Sequence, residues 1–369
     1  MGKWQLSLED MVKKTAEDAA MGNNSLRDDL DHILSRTEDL WEELRGKQIF
    51  ITGGTGFFGC WLLESFLWAN DRLNLRASAT VLTRDAGTFE KKVPHLAEHP
   101  ALRFHNGDVR KFTFPRERFD YIIHASNEAA DYGRGEEEAP AKVKEAIVQA
   151  AGHTLDFARV CGARNFLFTS SGSVYGPPPA NMTHVAETYE GVRDLAKFRF
   201  AHGEGKFIAE ALCAAYGEKH GIAAKIARCF TFVGPYMELD ANYAIGNFIR
   251  DGLKGGPIII QGDGTACRSY MYAADLAIWL WTILFKGESC RPYNVGSEMP
   301  TTILELAEKI AGEFDPPLGV HVLGKTLAGV ASDRYLPDIT RAQAELRLNQ
   351  FIYLESAIRK TLNWQKLKR

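Results

Sequence analysis

Gln48-Ile-Phe-Ile-Thr-Gly-Gly-Thr-Gly-Phe-Phe-Gly59 is the stretch that decides the fold of this chain, because a short apolar run breaks there into spaced glycines. An apolar, helix-like segment, Cys60 to Ala69, follows directly. A strand, a glycine turn and a helix in this order bring a pyrophosphate onto a helix N-terminus, where unpaired N–H groups and the positive end of the dipole hold it. We expect Gly53 to make the tight turn, Gly56 to let a phosphate approach the backbone, and Gly59 to let the helix pack on the strand.

The composition is that of an ordinary globular protein. The chain has 369 residues, of which 45% are apolar, so it can bury one large core or two smaller ones. Its formal net charge of −3 gives no electrostatic case for nucleic acid or an anionic membrane. No apolar run approaches the roughly 18 residues of a membrane helix, and the first residues lack a signal-peptide core, so we expect a cytoplasmic protein. Scattered cysteines without a Cys-x-x-Cys pair predict reduced thiols rather than a metal site: Cys60, Cys161, Cys213, Cys229, Cys267 and Cys290.

Apolar runs alternate with helical periods from Lys47 onward. This alternation predicts an α/β fold with a Rossmann-type, doubly wound parallel sheet. Gly234-Pro235 ends the pattern, and more irregular sequence follows up to a last helical stretch at Leu354 to Asn363. The expected strands are Gln48 to Thr52, Ser78 to Thr83, Leu102 to Asn106, Tyr121 to His124, Asn165 to Ser170 and Ala224 to Phe230.

The domain boundaries follow from the same pattern. Residues 1–46 are expected to form a helical extension of two amphipathic helices, one beginning near Ser7 and one near Ser25, that packs on the domain or on a neighbouring subunit. Residues 47–235 are expected to form the dinucleotide-binding domain. Residues 236–369 are expected to form mostly a smaller, mixed substrate lobe, with some segments returning to the sheet.

The end of the second expected strand bears on the choice of dinucleotide. A carboxylate at this strand tip binds the ribose hydroxyls of NAD, whereas a nearby arginine accommodates the extra phosphate of NADP. Thr83 and Arg84 therefore favour NADP slightly. Asp85 keeps NAD open, because a shift of one residue in the turn would bring its carboxylate into range.

Several further motifs resemble the extended short-chain dehydrogenase/reductase family, specifically its nucleotide-sugar epimerases, dehydratases and reductases. The resemblance runs from about Lys47 to the C-terminus. The matching pieces, in order, are Gly53-Gly-Thr-Gly-Phe-Phe-Gly59, Gly107-Asp-Val109, Ile123-His-Ala125, Ser170-Ser-Gly-Ser-Val-Tyr-Gly176, Lys206 with Ala209-Glu210, Arg228-Cys-Phe-Thr-Phe-Val-Gly-Pro235, and Gly262-Asp-Gly264 through Arg268 to Asp275.

The resemblance implies a role for each of a set of residues. It implies that the catalytic residues are Ser171, His202 and Lys206. It implies that NAD or NADP contacts Gly53, Thr55, Gly56, Phe57, Phe58, Gly59, Thr83, Arg84, Asp108, Val109, Ala125 and Lys206. It implies that the substrate, a nucleotide-diphosphate sugar, contacts Ser173, Tyr175, Asn247, Arg268 and Arg334, and that the protein is a homodimer. An arginine such as Arg268 suits a diphosphate because its planar fork bonds two oxygens at once.

The chain departs from the family pattern at one catalytic position. The family usually carries Tyr-x-x-x-Lys where this chain has His202-Gly-Glu-Gly-Lys206. Residues four apart share a helix face, so the geometry of the pair is kept. An imidazole has an ordinary pKa near 6.5, and a neighbouring Lys206 ammonium would lower that pKa further. His202 is therefore either a working acid/base group or the mark of a disabled or rebuilt site.

The two residues after Ser171 bear on the reaction. Family members that eliminate water generally carry an acidic pair there, and decarboxylating members a glutamate, whereas this chain has Gly172 and Ser173. The resemblance therefore favours oxidation and reduction at one carbon: an NAD(P)-dependent epimerase acting at the sugar C4 through a transient keto intermediate. A 4-ketoreductase or a 4,6-dehydratase is the alternative. A catalytically silent dinucleotide-binding sensor is the alternative of another class, although retention of Ser171 and Lys206 argues against it.

Overall fold

A computed structural model describes residues 24–127, 139–191, 201–241, 243–325 and 333–368 of the chain. The helix expected near Ser7 lies outside these residues. Among the described residues, no helix has both the length and the apolar character needed to cross a bilayer. All six cysteines are free thiols, and five of them are buried, as expected for a reduced core.

Seven parallel strands form the central sheet, so the Rossmann-type α/β prediction is confirmed. All six expected strands are present, and their ends agree with expectation to within one residue. The strands of the sheet are β1 (Gln48–Thr52), β2 (Ser78–Thr83), β3 (Leu102–Asn106), β4 (Tyr121–His124), β5 (Asn165–Ser171), β6 (Ala223–Cys229) and β11 (Pro292–Val295), numbered in the order of all strands along the chain. Their order across the sheet is β11-β6-β5-β4-β1-β2-β3.

Helices cover both faces of this sheet. Side chains alternate along β1, so that Ile49 and Ile51 enter one core and Phe50 enters the other. The core that contains Ile49 is completed by α1 (Arg27–Thr37), α2 (Phe57–Arg72) and α8 (Ala273–Lys286). The opposite core is completed by α5 (Ala139–Cys161) and α6 (Ala201–His220). Short helices α3 (Ala86–Lys92) and α4 (Pro94–Ala97) connect β2 to β3.

The described part of the N-terminal extension packs on the sheet domain, as expected for α1. Asp29 of α1 is buried and accepts hydrogen bonds from the Tyr272 hydroxyl at 2.7 Å and from the Lys360 ammonium at 2.8 Å. The helix begins at Arg27, close to Ser25, and just before it the Asn24 side chain accepts a hydrogen bond from the Leu26 backbone N–H and turns the chain. Two distant parts of the chain thus hold the extension in place.

The segment beyond residue 235 builds small sheets and adds a strand to the large one. β11 pairs in parallel with β6, so one segment beyond residue 235 returns to the large sheet, although this strand was not among those expected from the sequence. The small sheets and their helices consist of β7 (Phe232–Val233), α7 (Ala244–Leu253), β8 (Ile258–Ile260), β9 (Cys267–Arg268), β10 (Met271–Tyr272), β12 (Thr301–Thr302), α9 (Ile303–Ala311), β13 (Val320–Val322), β14 (Arg334–Tyr335), α10 (Thr340–Leu346) and α11 (Leu354–Leu367). Strand β9 lies between β12, which is antiparallel to it, and β14, which is parallel to it.

The glycine loop after β1 is built as its sequence predicts. Gly53 has a φ of +70°, and a Cβ there would lie 2.5 Å from the carbonyl carbon of Ala125. A Cβ at Gly59 would lie 2.3 Å from the Gly53 carbonyl oxygen, so only glycine lets α2 start this close to the loop. Gly56 is the N-cap of α2 and supplies no side-chain cap, which leaves the first N–H groups of the helix available to a ligand.

The close packing at Gly59 generates a prediction about stability. We expect Gly59→Ala to lower the free energy of unfolding by about 1–3 kcal/mol, because the added methyl group must displace backbone. Chemical denaturation followed by circular dichroism measures the change. Gly256→Ala is the matched control, since no atom lies within 4 Å of its added Cβ, and it should change the value by less than about 1 kcal/mol. Equal effects at the two glycines would contradict the packing argument.

Candidate active site

Three polar residues line one face of α6 at intervals of four. His202, Lys206 and Glu210 are the three, and they face the carboxyl ends of β5 and β6. The shared face that the sequence predicts for His202 and Lys206 is therefore present. Glycine brings the helix close, because a Cβ at Gly203 would lie 2.3 Å from the Ser173 carbonyl oxygen.

Lys206 is buried and held by the end of β5. Its ammonium group donates a hydrogen bond to the Thr169 carbonyl oxygen at 3.1 Å and lies 4.9 Å from the centre of the Phe168 ring. Both contacts favour a positive charge at this point. The lysine therefore places a fixed cation beside the end of the strand.

A chain of hydroxyl groups connects His202 to Ser171. The Ser173 hydroxyl donates to Ser171 Oγ at 2.9 Å and lies 3.1 Å from His202 Nδ1. A serine hydroxyl has one hydrogen, and Ser173 uses it on Ser171, so the Ser173 oxygen must accept from the imidazole. This hydrogen-bond pattern assigns the hydrogen to Nδ1 and leaves the lone pair on Nε2.

Burial, together with the nearby positive charge of Lys206, lowers the pKa of His202 to about 4. The direction agrees with the expectation from the sequence, but burial, which the sequence did not reveal, is the larger cause. At neutral pH the imidazole carries no charge. Its Nε2 can therefore accept a proton from a neighbouring hydroxyl without first losing one of its own.

An ion pair anchors the other end of this helix face. Arg228 donates two hydrogen bonds to the Glu210 carboxylate, from Nε at 3.0 Å and from Nη2 at 2.6 Å. Ser170 donates a third, at 2.5 Å, to the same carboxylate. All three side chains are buried. The pair ties α6 to both β5 and β6 beneath the site.

The residues expected to hold the dinucleotide gather around the glycine loop and the ends of β2, β3 and β4. Ala125 directly follows β4 and packs against Gly53. The Asp108 carboxylate pairs with the Arg110 guanidinium at 2.5 Å, and this hydrogen bond lowers the pKa of Asp108 to about 2. Thr83 is buried and Arg84 is exposed. Thr55, Phe57, Phe58 and Val109 lie in the same loop, at the start of α2 or just after β3.

Asp85 has a structural partner that the sequence did not predict. Its carboxylate is the N-cap of α3 and accepts from the Thr88 backbone N–H at 3.0 Å and from the Thr88 hydroxyl at 2.6 Å. These bonds lower the pKa of Asp85. The carboxylate that kept the NAD alternative open is thus engaged with its own helix.

Several residues expected to contact the substrate make side-chain contacts within the protein. Tyr175 is buried, and its hydroxyl donates to Asn294 Oδ1 at 2.7 Å. Its ring lies 4.7 Å from the Arg228 guanidinium, so it serves as part of the wall beneath the site. Arg268 pairs with Asp333 at 2.6 Å, and Asn247 accepts a hydrogen bond from Arg250 at 3.2 Å.

Two further residues at the site were assigned no role from the sequence. His124 is fully buried at the end of β4, with its Nδ1 3.1 Å from Thr52 Oγ1, and burial holds its pKa well below the ordinary value. Tyr335, which follows the exposed Arg334 on β14, places its hydroxyl 3.5 Å from Ser171 Oγ. Tyr335 lies 164 residues beyond Ser171, and no local sequence pattern indicates that the two meet.

A dinucleotide fits these residues. The uncapped N-terminus of α2 can bind a pyrophosphate, and the crowded approach of Gly53 to Ala125 leaves no room for larger side chains in the cradle. The fold and this cradle define the class of protein as a Rossmann-fold, dinucleotide-dependent enzyme of the short-chain dehydrogenase/reductase type. The model of the NAD dependent epimerase/dehydratase family matches residues 49–296, and the chain belongs to that family.

Comparison with individual proteins gives the same group. The chain is 29% identical over 300 residues to UDP-glucuronic acid decarboxylase 6 of Arabidopsis thaliana, across 81% of this chain and 83% of that protein. It is 28% identical over 320 residues to UDP-glucuronic acid decarboxylase 1 of Danio rerio, across 86% of this chain and 72% of that protein.

Solved structures share the fold. Epimerase Mth375 from Methanothermobacter thermautotrophicus matches with a TM-score of 0.74 and 20% identity, over 91% of this chain and 96% of that one. UDP-glucuronic acid 4-epimerase from Bacillus cereus, in complex with UDP-glucuronic acid and NAD, matches with a TM-score of 0.71 and 20% identity, over 87% of this chain and 100% of that one.

The environment of His202 generates a prediction about its titration. We expect an apparent pKa of about 4 for His202 in the free protein, because burial and Lys206 both oppose protonation. Lys206→Met should raise this pKa, since it removes the repelling charge. Two-dimensional NMR of the histidine rings measures both values, and the spectrum of His202→Gln assigns the signal. A pKa at or above 6.5 would contradict the arrangement.

Proposed function

We propose that this protein is an NAD(P)-dependent nucleotide-sugar epimerase that inverts C4 of the sugar through a transient keto intermediate. The observation that carries the proposal is the neutral His202 imidazole, hydrogen-bonded through Ser173 to Ser171 and one helical turn from Lys206. His202, Ser173 and Ser171 lie at the carboxyl end of β5. This strand is two positions across the sheet from β1, which leads into the glycine loop. Ligands of such sheets occupy this edge.

In this proposal the side chains handle the proton of the reaction. The nicotinamide supplies the hydride acceptor and donor at C4. His202 Nε2 accepts the proton of the C4 hydroxyl and later returns it, while the Ser171 hydroxyl hydrogen-bonds the same oxygen. Lys206 would hold the nicotinamide ribose, and burial together with the Lys206 charge keeps the imidazole neutral between turnovers.

The residues after Ser171 support a reaction confined to C4. Elimination of water or loss of a carboxyl group from the keto sugar is served in the family by acidic side chains at these positions. Gly172 has no side chain, and the Ser173 hydroxyl is engaged with Ser171 and His202. Oxidation and reduction at C4 need neither acid. A 4-ketoreductase is the alternative that would use the same residues.

Decarboxylation is the second candidate, and the relatives favour it. UDP-glucuronic acid decarboxylases are similar to this chain over four fifths of its length. A keto group at C4 of a uronic acid activates the neighbouring carboxyl group for loss as CO₂. UDP-glucuronic acid is therefore the first substrate to test, since an epimerase and a decarboxylase give different products from it.

The contacts at the site argue against the alternative that the protein is a catalytically silent dinucleotide-binding sensor. A protein that only senses a dinucleotide has no use for an ordered path of hydroxyl groups from an imidazole to a serine. The path from His202 to Ser171 is complete, and Lys206 keeps its buried position. These contacts support a catalytic protein.

The proposed cofactor preference is for NADP over NAD. The support is that Asp85 is engaged as the cap of α3, which leaves Thr83 and Arg84 at the tip of β2. Structural neighbours were solved with NAD, so the proposal of NADP rests on the strand tip of this chain alone. We propose that Arg268 turns from Asp333 to the diphosphate of the sugar nucleotide, where its planar fork can bond two oxygens.

A homodimer is part of the same proposal. Phe207 and Ile208 stand next to Lys206 on α6 and are 54% and 40% exposed. Large apolar side chains exposed side by side on a helix favour a partner surface. A second copy of the chain, packed against α6, would cover them and would stabilise the helix that carries His202.

The assay of the proposed function uses UDP-glucuronic acid with NAD or NADP. We expect epimerisation at C4, observed by NMR as a new UDP-hexuronic acid without release of CO₂. His202→Ala should lower kcat by roughly 10²- to 10⁴-fold while cofactor binding is retained. His220→Ala, at the exposed end of the same helix, is the control. A UDP-pentose with CO₂ as the product would establish the decarboxylase instead.

Substitution of His202 by tyrosine, the usual family residue, distinguishes a working imidazole base from a site that histidine impairs. If the imidazole is the working base, His202→Tyr should lower kcat, because the phenol has a different reach and needs its pKa lowered before it can accept a proton. Steady-state kinetics across pH 4–10 measures the change. A rise in kcat by orders of magnitude would show that histidine impairs the site.

Arg84→Ala tests the cofactor preference. We expect it to weaken NADP binding by about 1–3 kcal/mol, the scale of a charge-assisted hydrogen bond, and to leave NAD binding almost unchanged. Arg103→Ala removes the same charge from an exposed position on β3 and serves as the control. Isothermal titration calorimetry with both dinucleotides provides the readout. Equal weakening of both would refute a role for Arg84 at the 2′-phosphate.

A further inference from the structure

Tyr335 reaches the site from a different part of the chain than the other polar residues. It lies on β14, where it pairs with Arg268 of β9. Its hydroxyl forms a long hydrogen bond with Ser171, 3.5 Å between the oxygens, and its ring packs on Phe230 with 4.6 Å between ring centres. The phenol is therefore held from one side by an aromatic contact and from the other by the strand pairing.

The space beside Gly172 is already filled by the Tyr335 hydroxyl group and the Phe230 ring. A Cβ at Gly172 would lie 2.7 Å from the Tyr335 hydroxyl oxygen and 2.6 Å from a ring carbon of Phe230. Such distances are shorter than real Cβ atoms show, so no side chain fits at residue 172 while Tyr335 stays in place. The place of a carboxylate directly after Ser171 is thus taken by a phenol from another strand.

The hydroxyl groups form one continuous path. Ser171 accepts from Ser173 and from the Ser173 backbone N–H, at 2.9 and 3.2 Å, so its own hydrogen is directed elsewhere. Among the described residues, the Tyr335 hydroxyl oxygen is a further hydrogen-bond partner within reach of the Ser171 hydroxyl. Burial raises the pKa of the Tyr335 phenol, so it stays protonated and serves as a hydrogen-bond partner rather than as a base.

We propose that Tyr335 is a positioning residue of the active site: its hydroxyl holds the Ser171 hydroxyl group in place until the reacting sugar oxygen takes over that hydrogen bond, and its hydroxyl oxygen occupies the space that a side chain at residue 172 would need. This inference rests on the proposed epimerase function. Its neighbour in the strand pairing, Arg268, is the proposed diphosphate ligand, so the two strand positions couple the nucleotide end of the substrate to the catalytic serine. The reaction is thereby held to oxidation and reduction at C4.

The kinetic test uses Tyr335→Phe, which keeps the ring and removes the hydroxyl. We expect kcat on the nucleotide sugar to fall by about 3- to 10-fold, the scale of one hydrogen bond, with KM changed by less than about 2-fold. Tyr353→Phe is the matched control, because Tyr353 is an exposed tyrosine on a different part of the chain from Tyr335. In the Ser171→Ala background Tyr335→Phe should cause no further loss. Equal losses in both backgrounds would overturn the proposal, because Tyr335 would then act independently of Ser171.

A second measurement does not depend on turnover. In protein loaded with dinucleotide and labelled with [ζ-¹³C]tyrosine, Ser171→Ala should shift the Tyr335 resonance, which is assigned by its loss in Tyr335→Phe. The Tyr353 resonance should stay in place. An unchanged Tyr335 resonance would overturn the contact. Wild-type protein that turns over no UDP-sugar, together with a shifted Tyr335 resonance, would overturn the proposed function and leave the contact supported.

Discussion

The buried ion pair between Glu210 and Arg228 is the interaction on which the site depends. Both side chains are removed from water, and the pairing is two-pronged, with Ser170 donating to the same carboxylate. Removing one member of such a pair typically costs about 3–5 kcal/mol, because the other charge is left buried and unpaired. Since Glu210 lies on the same helix face as Lys206 and His202, the pair sets the position at which both of them meet the sheet.

Strand order completes the arrangement. β1, β4 and β5 are adjacent in the sheet, and their carboxyl ends lead into Gly53, Ala125 and Ser171 respectively. The strand order reverses between β1 and β4, which makes this the topological switch point of the sheet. Open α/β sheets form a crevice for a ligand at such a point. A dinucleotide bound at the glycine loop would therefore extend toward the serine, the imidazole and the lysine without any further element to bridge the distance.

Much of the sheet and part of the site could be predicted from the sequence, because these features depend on residues that are close together in the chain. Apolar runs bounded by turn residues gave six strands of the sheet, and the interval of four gave the shared face of His202 and Lys206. The first turn of α2 was missed, because Phe57 and Phe58 read as part of the glycine loop. The strand at Pro292–Val295 was missed as well, since it is short and lies in an irregular region.

The remaining features depend on contacts between distant residues. The burial that lowers the pKa of His202 follows from the close approach of Gly203 to Ser173, and nothing in the spacing of the two residues reveals it. The engagement of Asp85 as a helix cap is local, but the strand-tip argument had assigned that carboxylate another partner. Tyr335 meets Ser171 only because β14 pairs with β9 in the C-terminal segment.

In the proposed reaction the protein oxidises and reduces C4, while His202 moves only the hydroxyl proton. The direct measurement is the fate of deuterium in UDP-glucuronic acid labelled at C4. We expect that the epimeric product keeps the deuterium at C4 and that turnover shows a primary isotope effect, because the same hydride leaves and returns. Release of the label to solvent would contradict the account, since it would mean that C4 is deprotonated rather than oxidised.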